Sequence, residues 1–296
     1  MPPRSSRRSR SRARAGVARR DRGAAFSWGY RLKVLRKLVR QRAGSVEVSE
    51  SQGVRTLHLG GDAIQSAMRI DDPDALELDY TQAMMACALF TPEPRDVAMI
   101  GLGAGSLAKF VYRRFPATRV AAVEISPKVV AAARSLFDLP AEDARFSVVV
   151  GDGAAYVPAH PAAADVLMVD GFEDGKVVTS LCTQAFYDAA FAMLRPGGTM
   201  VANFMAEEPR FGTYLARIER AFAGRVLLLP AADKVNMIVF GVRGGPSRYA
   251  IDSLRDHARA LRRRLGLPYE AFVRDLLDTN ARTASYLRCG RPVPGG

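Results

Sequence analysis

The chain has 296 residues, 48% hydrophobic and 25% charged, which suits one large α/β domain with appendages and excludes a wholly disordered or collagen-like protein. Its formal net charge is +13, but residues 1–43 hold 15 of the 43 Lys and Arg residues and a single acid, Asp21, so residues 44–296 are nearly neutral. No uncharged apolar run approaches the roughly 20 residues of a membrane-spanning helix, and scattered Cys and His residues predict neither disulfides nor a metal site.

The basic residues are concentrated at the start of the chain. The first 23 residues are rich in Arg and Ser and lack apolar periodicity, which predicts a disordered tail. The stretch WGYRLKVLRKLVRQ (28–41) follows with the spacing of a basic amphipathic helix. Three interpretations of residues 1–43 stay open: a solvated tail or a start codon assigned too far upstream, a weak contact with nucleic acid or another anionic surface, and an organelle transit peptide. Because the stretch lacks the apolar core of a secretory signal, we expect a cytoplasmic protein.

Residues 44–90 predict a small segment of strands followed by a helix. Turns at Gly53 and at Gly60–Gly61 separate three short strand-like stretches. Helical apolar spacing then runs from Leu78 to Phe90, and the prolines that follow end that helix. The predicted strands are SVEVSE, RTLHLGG and AIQSAMRI.

Residues 91–244 alternate between apolar strands and helices. Near-continuous apolar strands are typical of a parallel sheet that is covered on both faces. We therefore expect a doubly wound, mostly parallel, Rossmann-like α/β sheet that binds its ligand at the carboxyl ends of the strands. An antiparallel hairpin of RVLLLP and VNMIVFG should form one edge, and residues 245–296 should form a C-terminal basic extension of two helices, divided near Gly266–Pro268. The predicted parallel strands are VAMIG (97–101), RVAAVEI (119–125), RFSVVV (145–150), DVLMVD (165–170) and TMVANF (199–204).

The first two of these strands end in residues that suit a nucleoside. Gly101, Gly103 and Gly105 follow the first strand, where glycine lets the backbone turn tightly and approach a ligand. The loop has no lysine, which excludes a P-loop, and Ser106 stands where a dinucleotide fingerprint continues its glycine pattern. Glu124 ends the second strand 19 residues after the loop, the spacing at which a carboxylate accepts ribose hydroxyls.

The next two strands end in carboxylates. Asp152, beside Gly153, can accept a hydrogen bond from an adenine amino group, although an ordinary Asp-Gly turn explains it equally well. Asp170 ends the fourth strand, with Glu173 and Asp174 in the loop that follows. Three carboxylates around one strand end repel one another, which costs free energy unless cations bind there. The alternative to a cation-binding role is that these acids are solvated in the loop and one of them caps a helix.

The motifs GLGAG, VEIS, GDG, DVLMVD and LRPGG, in this order, resemble the class I S-adenosylmethionine-dependent transferases. Within that group the chain is most similar to spermidine synthases, the polyamine aminopropyltransferases, over about residues 44–241, including the segment GDAIQSAMRIDDPDALELDYTQAMM. The resemblance implies a class I methyltransferase-type fold, no tightly bound cofactor, decarboxylated S-adenosylmethionine as co-substrate and a small amine as acceptor. It also implies that residues 44–90 cover the cleft of a catalytic domain formed by residues 91–244.

The resemblance assigns roles to individual residues. Asp170 would accept a proton from the amine, and Glu173 or Asp174 would anchor that amine. Gln65 and Tyr80 would shape the pocket, Gln65 towards the donor and Tyr80 towards the amine. The glycines at 101, 103, 105 and 153, together with Glu124 and Asp152, would hold the nucleoside. The C-terminal helices would either pack on the sheet or form a homodimer contact.

The chain departs from the family pattern in the half of the site that binds amines. Ala104 stands where the family usually has an acid that grips the aminopropyl ammonium, and DGFED replaces DSSDP after the fourth strand. Residues 231–236 contain no tyrosine, although the family often places one there over the diamine. Three hypotheses stay open: an aminopropyltransferase, a methyltransferase that uses ordinary S-adenosylmethionine, and a non-catalytic nucleoside or polyamine binder.

Overall fold

The computed structural model describes residues 41–43, 46–59, 64–173 and 176–290, and all of them belong to one compact unit of the chain. The predicted tail, the predicted turn at Gly60–Gly61 and Asp174 lie outside the described residues. So does the predicted amphipathic helix over 28–41, except that Gln41 begins a β-strand. Within the described part of the chain, no helix has the length and hydropathy to cross a membrane.

A small antiparallel sheet precedes the helix that leads to the central domain. Its four strands pair in chain order, with a turn at Gly53 (φ +78°), so the three predicted strands are confirmed. Its apolar face packs on one helix and one loop of the central domain, through Val46, Leu57 and Met68 against Ala104 and Phe137. The strands are Gln41–Ala43 (β1), Val46–Ser51 (β2), Val54–Leu59 (β3) and Ile64–Arg69 (β4).

The helix predicted over Leu78–Phe90 is present in two parts. Asp79–Met84 (α1) is α-helical, and Met85–Leu89 continues it as a 3₁₀ helix. A tighter last turn is common at a helix C-terminus. Every residue of the 3₁₀ part is buried, so tertiary packing holds it in place.

The central sheet has seven strands in the order β12-β13-β11-β8-β5-β6-β7. The five strands from β11 to β7 are parallel, and β13 and β12 add the predicted antiparallel hairpin at one edge. The predicted fold class is therefore confirmed. The strands are Asp96–Ile100 (β5), Arg119–Glu124 (β6), Phe146–Val150 (β7), Ala164–Val169 (β8), Leu194–Met205 (β11), Val226–Pro230 (β12) and Asn236–Val242 (β13), with a short hairpin of Phe172–Glu173 (β9) and Lys176–Val177 (β10) after β8.

Helices cover both faces of this sheet. One face packs on α2, α3 and the 3₁₀ helix, and the other packs on α4, α5 and α6. The short helix α4 and the helix α6 had no predicted counterpart. The helices are Ser106–Arg114 (α2), Pro127–Leu136 (α3), Gly153–Ala159 (α4), Gln184–Met193 (α5) and Phe211–Ala221 (α6).

The C-terminal extension contains the two predicted helices. Ile251–Leu265 (α7) ends at Gly266 in the left-handed conformation, and Tyr269–Thr279 (α8) follows. A short antiparallel pair, Arg248–Ala250 (β14) and Tyr286–Arg288 (β15), brackets both helices. The extension packs on strand Val226–Pro230 of the sheet and on the 3₁₀ helix, where buried Tyr269 donates a hydrogen bond to the Met85 carbonyl at 2.9 Å. The predicted basic character is wrong for α8, which carries one arginine and three acids.

Candidate active site

The glycine loop between β5 and α2 lies directly against the strand end that carries Asp170. Gly101 has φ +95°, and its N–H donates to the Val123 carbonyl at 2.9 Å. A Cβ at Gly101 would lie 2.3 Å from the backbone oxygen of Asp170, closer than any side chain tolerates. Gly101 therefore allows two strand ends to meet, which brings the predicted nucleoside loop next to the predicted proton acceptor.

Strand β4 closes over the same loop. The hydroxyl of Ser66 accepts a hydrogen bond from the Ala104 N–H at 3.1 Å, and a Cβ at Gly103 would lie 2.5 Å from that hydroxyl. The Ser106 hydroxyl, in the first turn of α2, donates to the Ala67 carbonyl at 3.2 Å. Gly105, at the N-cap of α2, completes the loop in the left-handed conformation. The small sheet thus covers the loop, and Ser66 and Ala104 are buried in that contact.

Glu124 is fixed by two backbone groups at the carboxyl end of β6. Its Oε2 accepts from the Leu102 N–H at 3.0 Å, and its Oε1 accepts from the Ser126 N–H at 2.9 Å. Only 8% of the residue is exposed. Each carboxylate oxygen can accept a further hydrogen bond, so a diol could meet a carboxylate whose orientation is already set.

Asp152 and Gly153 lie at the next strand end, after β7. Asp152 is exposed and caps α4, with Oδ1 accepting from the Ala154 N–H at 2.8 Å. The adjacent Gly151 N–H donates to the Glu124 carbonyl at 2.9 Å, which joins this turn to β6. A Cβ at Gly153 would lie 2.2 Å from Cγ2 of Ile100, so the helix starts in close contact with β5. The helix-cap role of Asp152 is visible, and its adenine contact stays a prediction.

Asp170 directly follows β8 at the carboxyl edge of the sheet, where it is partly exposed. Its N–H donates to the Ile100 carbonyl at 2.8 Å, and its Oδ1 accepts from the Asn203 side-chain amide at 2.9 Å. Burial raises the pKa of Asp170 above the usual carboxyl value, while hydrogen bonds from Asn203 and Tyr80 act in the opposite direction. A base whose pKa is moved towards neutrality suits proton transfer at physiological pH.

Helix α1 brings Tyr80 to this carboxylate. The Tyr80 hydroxyl lies 3.3 Å from the backbone oxygen of Gln65 and also interacts with the Asp170 carboxylate, so these two acceptors share its single proton. Burial, reinforced by the negative charge of Asp170, raises the pKa of Tyr80 well above its usual value, so the phenol stays protonated. Three predicted residues from separate elements therefore meet at one point.

The two predicted amine anchors are not placed by the structure. The backbone of Glu173 belongs to β9, but its side chain and all of Asp174 lie outside the described residues. Among the side chains that are described, no three His, Cys, Asp or Glu residues form a cluster that could hold a metal ion.

Three polar residues at the site were not predicted: Ser66, Asn203 and Asn236. Asn203 lies on β11 and Asn236 on β13, and both are buried. The signal in the sequence was a polar residue near the end of an otherwise apolar strand, as in TMVANF.

Comparisons with known proteins agree with this geometry. Residues 77–224 match the family model described as the spermine/spermidine synthase domain. The polyamine aminopropyltransferase of Chromobacterium violaceum is 40% identical over 242 residues, which cover 82% of this chain and 93% of the relative. The protein of the same name from Neisseria meningitidis serogroup A is 36% identical, covering 81% and 92%.

Solved structures share the fold. A probable spermidine synthase from Corynebacterium glutamicum superposes with a TM-score of 0.64 at 21% identity, covering 87% of this chain and 97% of the other. Human methyltransferase-like protein 13 in complex with SAH has a TM-score of 0.59 at 26% identity, covering 64% and 94%. Taken with the extent and identity of the sequence matches, the chain belongs to the spermine/spermidine synthase family of polyamine aminopropyltransferases.

Proposed function

We propose that this protein transfers an aminopropyl group from decarboxylated S-adenosylmethionine to a small amine, with Asp170 as the proton acceptor. The observation that carries the proposal is the placement of the Asp170 carboxylate. It lies at the carboxyl edge of the central sheet, hydrogen-bonded by Asn203 and next to the glycine loop through Gly101. The family relationship supplies the reaction class, and this geometry supports Asp170 as the base.

The reaction needs alignment and the removal of one proton. The nitrogen lone pair of the amine attacks the methylene carbon bonded to the sulfonium, a C–N bond forms, and the C–S bond breaks. The electron pair of the broken bond returns to sulfur, which leaves as a neutral thioether. Asp170 takes the proton that the nitrogen loses. Alignment of two bound reactants can itself contribute about 7–11 kcal/mol to lowering the barrier.

The nucleoside half of the donor would bind along the carboxyl ends of β5, β6 and β7. We assign the ribose to Glu124, the adenine amino group to Asp152, and close backbone approach to the glycines. The rigid hold on Glu124 by two backbone N–H groups supports this assignment, because an oriented carboxylate loses little entropy on binding a diol. The glycines assigned to donor binding are Gly101, Gly103, Gly105 and Gly153.

The amine would lie beside the Tyr80 hydroxyl and the Asp170 carboxylate, which contact each other. A protonated phenol and a carboxylate can accept hydrogen bonds from an ammonium and retain the neutral amine as a nucleophile. Gln65, on β4, would border the donor side of this pocket. We assign the far end of the amine to Glu173 or Asp174, in the loop that follows Asp170.

One observation favours a second function, methyl transfer from ordinary S-adenosylmethionine. Ala104 puts no carboxylate at the loop position where the family usually has an acid, and a relative of known structure is a methyltransferase-like protein that binds SAH. Ser66 counts against this alternative. The Ala104 N–H, which could otherwise meet a donor carboxylate, already donates to the Ser66 hydroxyl.

One experiment separates the two functions. The protein is incubated with each donor and a panel of diamines and monoamines, and products are identified by mass spectrometry. Aminopropylated product from the decarboxylated donor supports the proposal, and methylated product from the ordinary donor supports the alternative. Calorimetric titration with each donor gives a second readout, because we expect tighter binding of the decarboxylated form.

The same contacts support a division of the chain into three parts. We propose that residues 44–90 cover the cleft, residues 91–244 bind the donor and carry the base, and residues 245–296 form an extension packed on the sheet. We also propose a cytoplasmic setting, which the free thiols of buried Cys87 and Cys182 support. Contact of residues 1–43 with nucleic acid, and a homodimer, stay predictions.

A further inference from the structure

Two buried asparagines stand in line behind the Asp170 carboxylate. Asn203 on β11 is 5% exposed, and its Nδ2 lies 2.9 Å from Oδ1 of Asp170. Asn236 on β13 is 7% exposed, and its Nδ2 lies 3.0 Å from Oδ1 of Asn203. The two strands are antiparallel neighbours in the central sheet, so the line of hydrogen bonds runs across β-strands that the core holds rigidly.

The Asp170 carboxylate fixes the orientation of both asparagine amides. An ionised carboxylate can only accept hydrogen bonds, so the amide nitrogen of Asn203 must face Asp170. The carbonyl oxygen of Asn203 then points away, and it is satisfied by the amide nitrogen of Asn236. The Asn236 amide nitrogen also lies 3.7 Å from the sulfur of Met205. Because a thioether sulfur is a weak acceptor, the Asn203 side-chain carbonyl is the principal partner of Asn236.

Neither asparagine is needed to fill space at this position. A buried amide costs free energy unless it is hydrogen-bonded, and apolar residues of similar shape would pack here without that cost. The two amides are stabilised here because Asn203 donates to the charged Asp170 carboxylate, and a hydrogen bond to a charged group is stronger than one between neutral groups. What the pair achieves is an oriented donor aimed at one oxygen of Asp170.

We propose that Asn236 and Asn203 form a positioning relay, in which Asn236 orients Asn203 and Asn203 holds the ionised Asp170 carboxylate in place for proton transfer. The inference rests on the proposed function and assigns residues behind the site. Neither asparagine takes a proton itself, so both act through Asp170.

Other groups face Asp170 as well. Tyr80, from α1, is the titratable side chain among the described residues that interacts with it directly. Two further carboxylates belong to neighbouring elements, Asp79 on α1 and Asp233 in the turn between β12 and β13. Burial raises the pKa of Asp79, and the negative charge of Asp233 raises it further. The relay is neutral at every pH of interest, so its effect on Asp170 comes from hydrogen bonding alone.

The test is the titration of Asp170 in the full chain by carbon-13 NMR of aspartate carboxyl groups, with the signal assigned by its loss in Asp170→Asn. We expect Asn203→Leu to raise the titration midpoint by about one pH unit and Asn236→Leu by about half a unit. The acidic limb of the kcat profile should move by the same amounts. In the wild type, the side-chain amide signals of both asparagines should shift with the midpoint of Asp170.

A matched control is Asn280→Leu. The Asn280 amide bridges β12 and α8, with bonds to the Leu228 N–H and carbonyl at 2.8 and 2.7 Å, and it does not contact Asp170. Its loss should lower stability and leave the Asp170 midpoint unchanged.

An unchanged midpoint in both relay variants, or wild-type amide signals that ignore the titration of Asp170, would overturn the relay. The wild-type measurement needs no variant, so it decides even where a substitution prevents folding. A protein that transfers no aminopropyl group refutes the proposed function, whereas the carboxyl titration still decides the relay.

Discussion

Replacing Asp170 with asparagine should remove catalysis and spare donor binding. The substitution keeps the size of the side chain and can keep the hydrogen bond from Asn203, which then ends on an amide oxygen instead of a carboxylate. Loss of that charge assistance should cost about 1 kcal/mol of stability, too little to unfold the protein. Loss of a general base should lower kcat by about 10²–10⁴, which corresponds to about 2.7–5.4 kcal/mol in the barrier.

Donor affinity should stay within about threefold of wild type, because Asp170 contacts the glycine loop through its main chain. Its N–H bond to Ile100 and its backbone contact with Gly101 do not involve the carboxylate. The assay is single-turnover mass spectrometry at saturating donor and amine, beside calorimetric titration of the donor. The matched control is Glu124→Gln, the same chemical change at the nucleoside end, which should weaken the donor and spare kcat. Turnover of Asp170→Asn within tenfold of wild type would refute the assignment of the base.

Activity and stability tests at other positions follow from the same contacts. Chemical denaturation should show that Gly101→Ala loses at least about 2 kcal/mol more stability than Gly197→Ala. Both glycines have positive φ, but only at Gly101 would a Cβ clash with the Asp170 backbone. Equal losses of stability would contradict this contact. Lys109, which is fully buried and donates to the Phe137 carbonyl at 2.8 Å, has its pKa lowered by burial to about 8. Between about pH 8 and 10.5 the Lys109 side chain is protonated in the unfolded chain and neutral in the folded one. The free energy of unfolding of the wild type should therefore rise over that window, relative to Lys109→Met, by up to about 3 kcal/mol. A stability difference between the two proteins that does not change with pH would refute this prediction.

The fold was accessible from the sequence because its strongest signals are local. Five apolar strands, four of which end at a glycine or an acid, left little choice but a parallel sheet with its site at the carboxyl ends. The strands lie within a few residues of their predicted ends, apart from β11. That strand begins early because Leu194 pairs with Ala164 before an irregularity at LRPGG, a tertiary contact that no local pattern encodes.

The predicted site residues met because the rule about strand ends is geometric. Glu124 ends β6 and Asp170 follows β8, the two parallel strands on either side of β5, so the topology alone brings them to one edge of the sheet. Tyr80 is different, since it reaches Asp170 from a helix outside the sheet, and only the family resemblance indicated it. Ser66 and Asn236 were not predicted because the sequence of a strand does not show whether an isolated polar residue faces solvent or a buried polar partner, such as the Ala104 N–H or the Asn203 side chain.

The same contacts that stabilise the fold also set the site, and this couples the two halves of the reaction. The Asp170 N–H bonds to Ile100, the residue before the glycine loop, while the Leu102 N–H, inside the loop, bonds to Glu124. One short segment of backbone, residues 100–102, therefore bonds to both Glu124, the proposed ribose carboxylate, and Asp170, the proposed proton acceptor. A displacement of this segment would move donor and base together, so their relative position is preserved. Since near-attack geometry depends on that relative position, rigidity at these three residues matters more for transfer than the precise strength of any single donor contact.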